Sequence, residues 1–293
     1  MKEFKNTTKL ALYVFILSAF GGFLRWLQNQ SAFEAETGLM VPGAIKIHIP
    51  AMMLIAAAVM YAFVRRLKNE LPAGPKDAYG VFNATSMFYP LTFYIIALLY
   101  LLGGFVTFSG AGRTAAPVLY MLLGIVGFVC GITVPMLCKC ARKHYAPRFV
   151  AFIMVQPILL FALWLVTSYK VNASRPALWS YAVEIIAAAV VLVSFYYNAG
   201  FAYGVPNAHR SVFFSMLGAF MCCMTLSDAR EPGMYLMLAA TAILLVLEAW
   251  LVVKNLGEAV SEETSPEGET VLEPGSETPD GETTKVAPGR GEK

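Results

Sequence analysis

The amino-acid sequence predicts an all-α fold: a polytopic integral membrane helical bundle of about eight transmembrane helices, followed by a disordered C-terminal tail. Of the 293 residues, 58% are hydrophobic and 14% are charged, whereas about a quarter of the residues in a soluble domain are charged. The apolar residues are gathered into eight segments, each close to the roughly 20 residues that a helix needs to cross a bilayer. After Asn255 the composition changes to acidic and polar.

The eight apolar segments are predicted to be helices because of their length and their Leu, Ala and Met content. Strands of a membrane barrel would instead be about ten residues long, with alternating polarity. The seventh segment is the shortest. In chain order the predicted spans are Leu10–Leu27, Ala44–Val64, Met87–Phe108, Ala116–Leu137, Phe149–Tyr169, Ala177–Tyr197, Ser211–Leu226 and Gly233–Val253.

The connecting segments differ in positive charge, and this difference predicts the orientation. Loops rich in Lys and Arg stay in the cytoplasm, so we expect a cell (plasma) membrane protein with both termini cytoplasmic. The alternative is that Leu10–Phe20 is the apolar part of a cleaved secretory signal, which would leave seven spans. The basic side carries Lys2, Lys5, Lys9, Arg65, Arg66, Lys68, Lys76, Lys139, Arg142, Lys143, Arg148, Arg210 and Lys254; the other carries Arg25, Lys46, Arg113, Lys170, Arg175 and Arg230.

The predicted domains are a transmembrane domain over residues 1–254 and an acidic cytoplasmic tail over residues 255–293. The tail has ten acidic and three basic residues and therefore a charge of −7. Because the whole chain has a net charge of +3, the membrane domain has a charge of +10. The tail has few apolar residues, so it cannot bury enough apolar surface to compensate the conformational entropy that it would lose on folding. We expect the basic face to meet the anionic lipid bilayer rather than nucleic acid. The tail is predicted to be solvated or to bind a cytoplasmic protein partner.

Small residues and prolines predict how the helices pack. Gly127 and Gly131 form a GxxxG step, and Ser18 with Gly22 forms a looser one. Such steps let helices approach closely in lipid, so these helices are expected to be central, with a homodimer as the alternative use. Pro157 lies within a span and predicts a kink.

Ionisable residues inside the spans indicate the candidate ligand-binding site, because each is costly in hydrocarbon. At ~1.5 Å per residue, Arg25, His48 and Glu184 all lie roughly 5–10 Å below the outer surface. We expect an Arg25–Glu184 pair to form a polar site open to the exterior. The alternative is a structural ion pair with Arg25 reaching the headgroups. The side chains expected to complete the site are His48, Tyr181, Gln28 and Gln30.

Glu248 is the other carboxylate within a span, and it lies roughly 8 Å from the cytoplasmic surface. Buried without a cation, it is a candidate proton-carrying residue, and Asn198, Arg65 and Arg66 are predicted at a similar depth. The alternative is that Glu248 reaches the headgroups beside Trp250.

Cofactor and metal binding are not expected. Cys138, Cys140 and His144 give three soft ligands, but no second Cys pair completes a structural zinc site. The sequence has no GxxxxGK[ST], HExxH or GxSxG motif, so ATPase, metalloprotease and Ser-hydrolase activities lack their usual signatures. A haem site would commonly use His residues in facing spans, whereas only His48 is near a span. We therefore do not expect an enzyme.

One local resemblance involves the first outer loop. Leu24–Gln28, Ala32–Glu34 and Glu36–Leu39 resemble that loop in multi-pass membrane proteins of anaerobic gram-positive bacteria. The resemblance is confined to residues 24–39 of 293, and that group has no established activity. It implies a bacterial cytoplasmic membrane and nothing about mechanism.

These observations favour a transporter or receptor for a small polar ligand that enters from the exterior. The alternative is a non-catalytic membrane subunit or scaffold that binds a cytoplasmic partner. Site composition alone does not separate transport from recognition, because both need polar groups that are buried in the bundle and reachable from water.

Overall fold

The computed structural model describes residues 2–32, 47–68, 78–82, 88–143, 147–173 and 178–263. Within these ranges the chain is helical apart from short turns, and it contains no β-strand. The predicted all-α fold is therefore confirmed. The helices are α1 Lys2–Ser31, α2 His48–Leu67, α3 Ala78–Val81, α4 Phe88–Gly110, α5 Pro117–Lys143, α6 Pro147–Asn172, α7 Leu178–Ala199, α8 Ala208–Thr225 and α9 Pro232–Glu263.

Each predicted span corresponds to one long helix. Seven helices of the described residues are long and apolar enough to cross a membrane. The eighth, α8, is the predicted seventh span, and its 18 residues include His209 and Arg210 in the first turn. α8 is nevertheless buried within the bundle, where it contacts α1, α2, α7 and α9. The short α3 was not predicted, because its four residues lie in a polar stretch between two spans.

The long helices α4 to α9 form a ring. Each helix packs against the next in the chain, and α9 returns to pack against α4. α1 packs outside the ring against α8 and α9, and α2 packs against α1 and α8. α9 is the most buried of the seven apolar helices, with 72% of its most apolar window buried, against 22% for α1. The expectation that α1 is central is therefore wrong, because its small residues serve one contact with α8 only.

Consecutive long helices run in opposite directions, so the bundle has two ends. One end gathers the last turn of α1, the first turn of α7 and the α8–α9 connection; we call it the Asp228 end. The other gathers the start of α4 and the last part of α9, where Trp250 Nε1 donates to the Tyr89 hydroxyl at 3.1 Å; we call it the Lys254 end.

Glycines allow α4, α5 and α9 to pack with their backbones close together. A Cβ atom built on Gly104 would lie 2.7 Å from the Gly124 carbonyl oxygen, and one built on Gly233 would lie 2.5 Å from the Gly103 carbonyl oxygen. A side chain at these positions would push the helices apart. The predicted contact of the fourth span is also present within one chain, because Gly127 lies against Met237 of α9 and a Cβ atom built on Gly131 would lie 2.9 Å from the Leu101 amide nitrogen of α4.

Two sequence predictions lie partly or wholly beyond what the structure describes. α9 continues past the predicted domain boundary at residue 254 and ends at Glu263. Residues 264–293 are outside the described residues, as are residues 33–46 of the first outer loop and His144. The disordered tail and the remainder of the outer loop stay predictions.

Candidate functional site

A polar cavity opens at the Asp228 end, between α1, α5, α6, α7 and the α8–α9 connection. Its volume is about 630 Å³, within the range of roughly 300–1,000 Å³ typical of small-molecule sites. The polar and charged side chains that line it are Asn29, Gln30, Arg113, Thr114, Tyr120, Ser168, Asn172, Tyr181, Glu184, Ser227, Asp228, Arg230 and Glu231. We call it the Asp228 cavity.

A buried ion pair supports one wall of the Asp228 cavity. Arg25 Nε on α1 lies 2.6 Å from Asp228 Oδ1, and the two side chains are 1% and 8% exposed. Asn29 Nδ2 donates to the same oxygen at 3.0 Å, and Arg25 Nη1 donates to Gln28 Oε1 at 2.6 Å. The Tyr235 hydroxyl donates to the Asp228 carbonyl oxygen at 2.7 Å. The pair therefore attaches α1 to the α8–α9 connection and fixes the position of Asp228.

Arg230 lies on the same wall, and part of its guanidinium lacks partners. Its Nη2 donates to the Thr225 carbonyl oxygen at 2.7 Å and lies 3.7 Å from Asp228 Oδ2, and the group lies over the Tyr235 ring. Within the described residues, Arg230 Nε and Nη1 and Asp228 Oδ2 are buried without a hydrogen-bond partner. Buried polar groups in native proteins are nearly always hydrogen-bonded. These three polar atoms are enclosed by the protein and have almost no accessible surface.

Glu184 lies on another wall, contributed by α6 and α7. Trp164 Nε1 and Ser168 Oγ each donate to Glu184 Oε1 at 2.8 Å. Trp164 is 1% exposed and stacks on Phe161 with ring centroids 5.5 Å apart. Both hydrogen bonds reach the same carboxylate oxygen, so Oε2 keeps its lone pairs for another donor. Glu184 is held in place but not neutralised by a cation in the described part of the chain.

The structure brings together part of the predicted ligand-binding set. Tyr181 and Glu184 line the Asp228 cavity, and Arg25 lies directly behind Asp228. The expected Arg25–Glu184 pair is wrong, because α7 packs against α6 and α8 whereas α1 packs against α2, α8 and α9. His48 is the exposed first residue of α2 and does not line the cavity. The ligand-binding role of these residues stays a prediction.

Glu248 lies in a second polar cluster, towards the Lys254 end. Its side chain is 3% exposed and accepts a short hydrogen bond from Asn198 Nδ2. The expected proximity of Asn198 is therefore confirmed. The alternative, in which Glu248 reaches the headgroups beside Trp250, is wrong because the Glu248 side chain is buried and bonded to Asn198.

Sequence reasoning missed Asp228 and Arg230 as site residues. The prediction rested on carboxylates within spans, whereas Asp228 lies just after the end of a span. A usable signal was present: the short connection Ser227–Glu231 holds three charged residues, and a tight turn between two buried helices forces such side chains to find partners nearby. Trp164 and Ser168 gave no such signal, because each occurs in an apolar span.

Comparison of the chain with protein families, with curated proteins and with solved structures gives no match.

Proposed function

We propose that the protein is a membrane transporter or receptor for a small zwitterionic ligand, bound in the Asp228 cavity. The observation that carries this proposal is the pairing of opposite, incompletely satisfied groups on the cavity walls. Within the described residues, Arg230 Nε and Nη1 have no hydrogen-bond partner and become reachable from the cavity only if the side chain moves, and Glu184 Oε2 has no donor. A ligand with an acid group and an amine matches both.

The ligand reaches the cavity from the exterior in this proposal. Lys and Arg are concentrated at the Lys254 end, where Arg65, Arg66, Lys68 and Arg210 lie at helix ends. The rule that positive loops remain inside puts the Asp228 end outside and both termini in the cytoplasm. Electrostatic contacts between the ligand and these charged groups are stronger than the same contacts in bulk water, because the groups have low solvent access.

The test is ligand-induced thermal stabilisation of the protein in lipid nanodiscs. Single amino acids are the zwitterionic probes, each compared with its carboxylate-only and amine-only analogues. We expect at least one zwitterion to raise the unfolding temperature more than either analogue. Arg230→Gln and Glu184→Gln should each abolish that shift.

Arg210→Gln is the matched control, because Arg210 is an exposed arginine at the Lys254 end that lies over the Tyr197 ring. It should keep the ligand response. If no zwitterion exceeds its analogues, or if the response survives Arg230→Gln, the proposal is refuted. Uptake of the stabilising probe into proteoliposomes then separates a transporter from a receptor.

A further inference from the structure

The buried cluster around Glu248 contains five polar residues from three helices. Asn198 on α7 donates to Glu248 on α9 and accepts a short hydrogen bond from Ser211 Oγ on α8. Its Nδ2 also lies 3.1 Å from Ser215 Oγ, which accepts a hydrogen bond from Ser194 Oγ at 3.1 Å. Asn198 and the three serines are 0% exposed. The cluster is thus a connected network that fixes the direction of the Glu248 carboxyl group.

No cation neutralises this carboxyl group within the described residues, since neither of their ion pairs includes Glu248. Arg210, next to Ser211 in the chain, is exposed and donates to the Tyr197 hydroxyl. Tyr100 on α4 is the titratable group of the described residues that interacts electrostatically with Glu248, and a tyrosine is neutral near pH 7. The remaining neighbours are apolar or uncharged: Val134 and Leu137 on α5, Ile153, Met154 and Pro157 on α6, Phe195 on α7 and Leu244 on α9.

An ionised carboxylate in such a place is costly unless a cation accompanies it, whereas the neutral acid is not. Pro157 has no N–H group, so the carbonyl oxygen of Ile153 lacks its usual helical donor. Ile153 and Pro157 both border a void of about 10 Å³ beside Glu248, close to the smallest space that holds one water molecule. A carboxylic acid O–H group on Glu248 therefore has a space of about the size of one water molecule beside it.

The Glu248 cluster and the Asp228 cavity share the helices α7 and α9. Glu184 and Asn198 lie on α7, and Met234 and Glu248 lie on α9; at 1.5 Å per residue, both helices separate the two sites by about 21 Å. The α8–α9 hairpin belongs to both, because it carries Arg230 at its turn and supplies Ser211, Ser215 and Glu248 further along. A movement of this hairpin would alter both sites together.

We propose that Glu248 is a proton-binding site, which takes a proton from water to form a neutral carboxylic acid and releases it to water as the carboxylate. In the proton-free state, Asn198 Nδ2 stabilises the negative charge through its hydrogen bond. In the loaded state, the acid O–H group faces the void beside Pro157. Proton release is linked to ligand occupancy of the Asp228 cavity through the α8–α9 hairpin, and this link alone rests on the proposed function.

The test of the proton site uses infrared difference spectra of the full-length protein in nanodiscs, recorded between acidic and alkaline buffers without any ligand. We expect a carboxylic-acid C=O band that disappears as the pH rises and that is absent in Glu248→Gln. Glu184→Gln, which removes the carboxylate of the other site, should retain the band. Asn198→Leu should shift the band or its pH midpoint, because the donor to the carboxylate is lost.

Sodium provides the competing occupant. If Na⁺ replaces the proton, the midpoint of the band in sodium buffer will differ from that in choline buffer, and the proton proposal is overturned in favour of a sodium site. Absence of a band that depends on Glu248 at any pH also overturns it. The link to the ligand is measured separately, as the pH dependence of zwitterion-induced stabilisation, which Glu248→Gln should remove. A cavity that binds no zwitterion leaves the infrared result unaffected.

Discussion

The Arg25–Asp228 pair gives the sharpest prediction for stability. Arg25 is 1% exposed and its Nε lies 2.6 Å from Asp228 Oδ1, so neither charge can regain full hydration when its partner is removed. Breaking a buried pair by removing one partner costs about 3–5 kcal/mol. We expect Arg25→Gln to cost about 2–3 kcal/mol, below that range, because Asp228 keeps its hydrogen bond from Asn29 at 3.0 Å.

Asp228→Asn should cost about 3 kcal/mol, because it leaves the guanidinium of Arg25 beside a neutral amide. The double variant removes both charges, so it should cost about 2–3 kcal/mol instead of the sum of the two single effects. Reversible unfolding in mixed detergent micelles, followed by tryptophan fluorescence, measures all three free energies. The exposed Arg210→Gln is the control and should change stability by less than about 0.5 kcal/mol. Additive effects of the two substitutions would show that the pair is not an energetic unit and would refute this reasoning.

Two further substitutions test the packing of α4. Gly104→Ala should destabilise the protein by about 1–3 kcal/mol, because the new Cβ would lie 2.5 Å from the Phe128 amide nitrogen. Gly112→Ala is the control and should be neutral, because its new Cβ meets nothing within 4 Å. Equal thermal stabilities of the two variants would contradict the close helix contact. Thr241→Val removes the hydroxyl that lies 2.7 Å from the Tyr100 hydroxyl, and it should cost about 0.6 kcal/mol and at most about 1.7 kcal/mol in the same unfolding assay. Thr92→Val is the comparison, because Thr92 is half-buried and its hydroxyl donates to its own helix. A smaller loss for Thr241→Val than for Thr92→Val would count against the interhelical bond.

The spans were predictable because a membrane-spanning helix requires a long run of apolar residues, which is visible in the sequence. A run of apolar residues must be long enough to cross the hydrocarbon core, and a helix is the structure that satisfies its backbone there. α8 was the weakest case for the same reason, since its first turn carries His209 and Arg210. The short α3 has no such apolar run. It could not be predicted because its position depends on packing against α5 and α9.

Contacts in the site could be predicted only where the depth of two residues in the membrane was sufficient to identify them as neighbours. Asn198 and Glu248 share a depth and lie on helices that both flank α8, so their contact could be anticipated. Arg25 and Glu184 also share a depth, but α1 and α7 lie on opposite sides of α8. Depth follows from sequence through the rise per residue, whereas the lateral order of helices follows from which surfaces fit, and small changes in side-chain shape decide that.

The separation of Arg25 from its partner along the chain has a consequence for biosynthesis. Asp228 follows Arg25 by 203 residues, so the ribosome has made most of the membrane domain before the partner exists. During that time the first helix holds a guanidinium within the membrane that the finished protein buries beside an acid. We expect the newly made helix to keep Arg25 near the headgroups and to dock only after the last hairpin has been inserted. A chain truncated before α8 would therefore display an undocked first helix, a feature by which a quality-control protease could recognise incomplete chains.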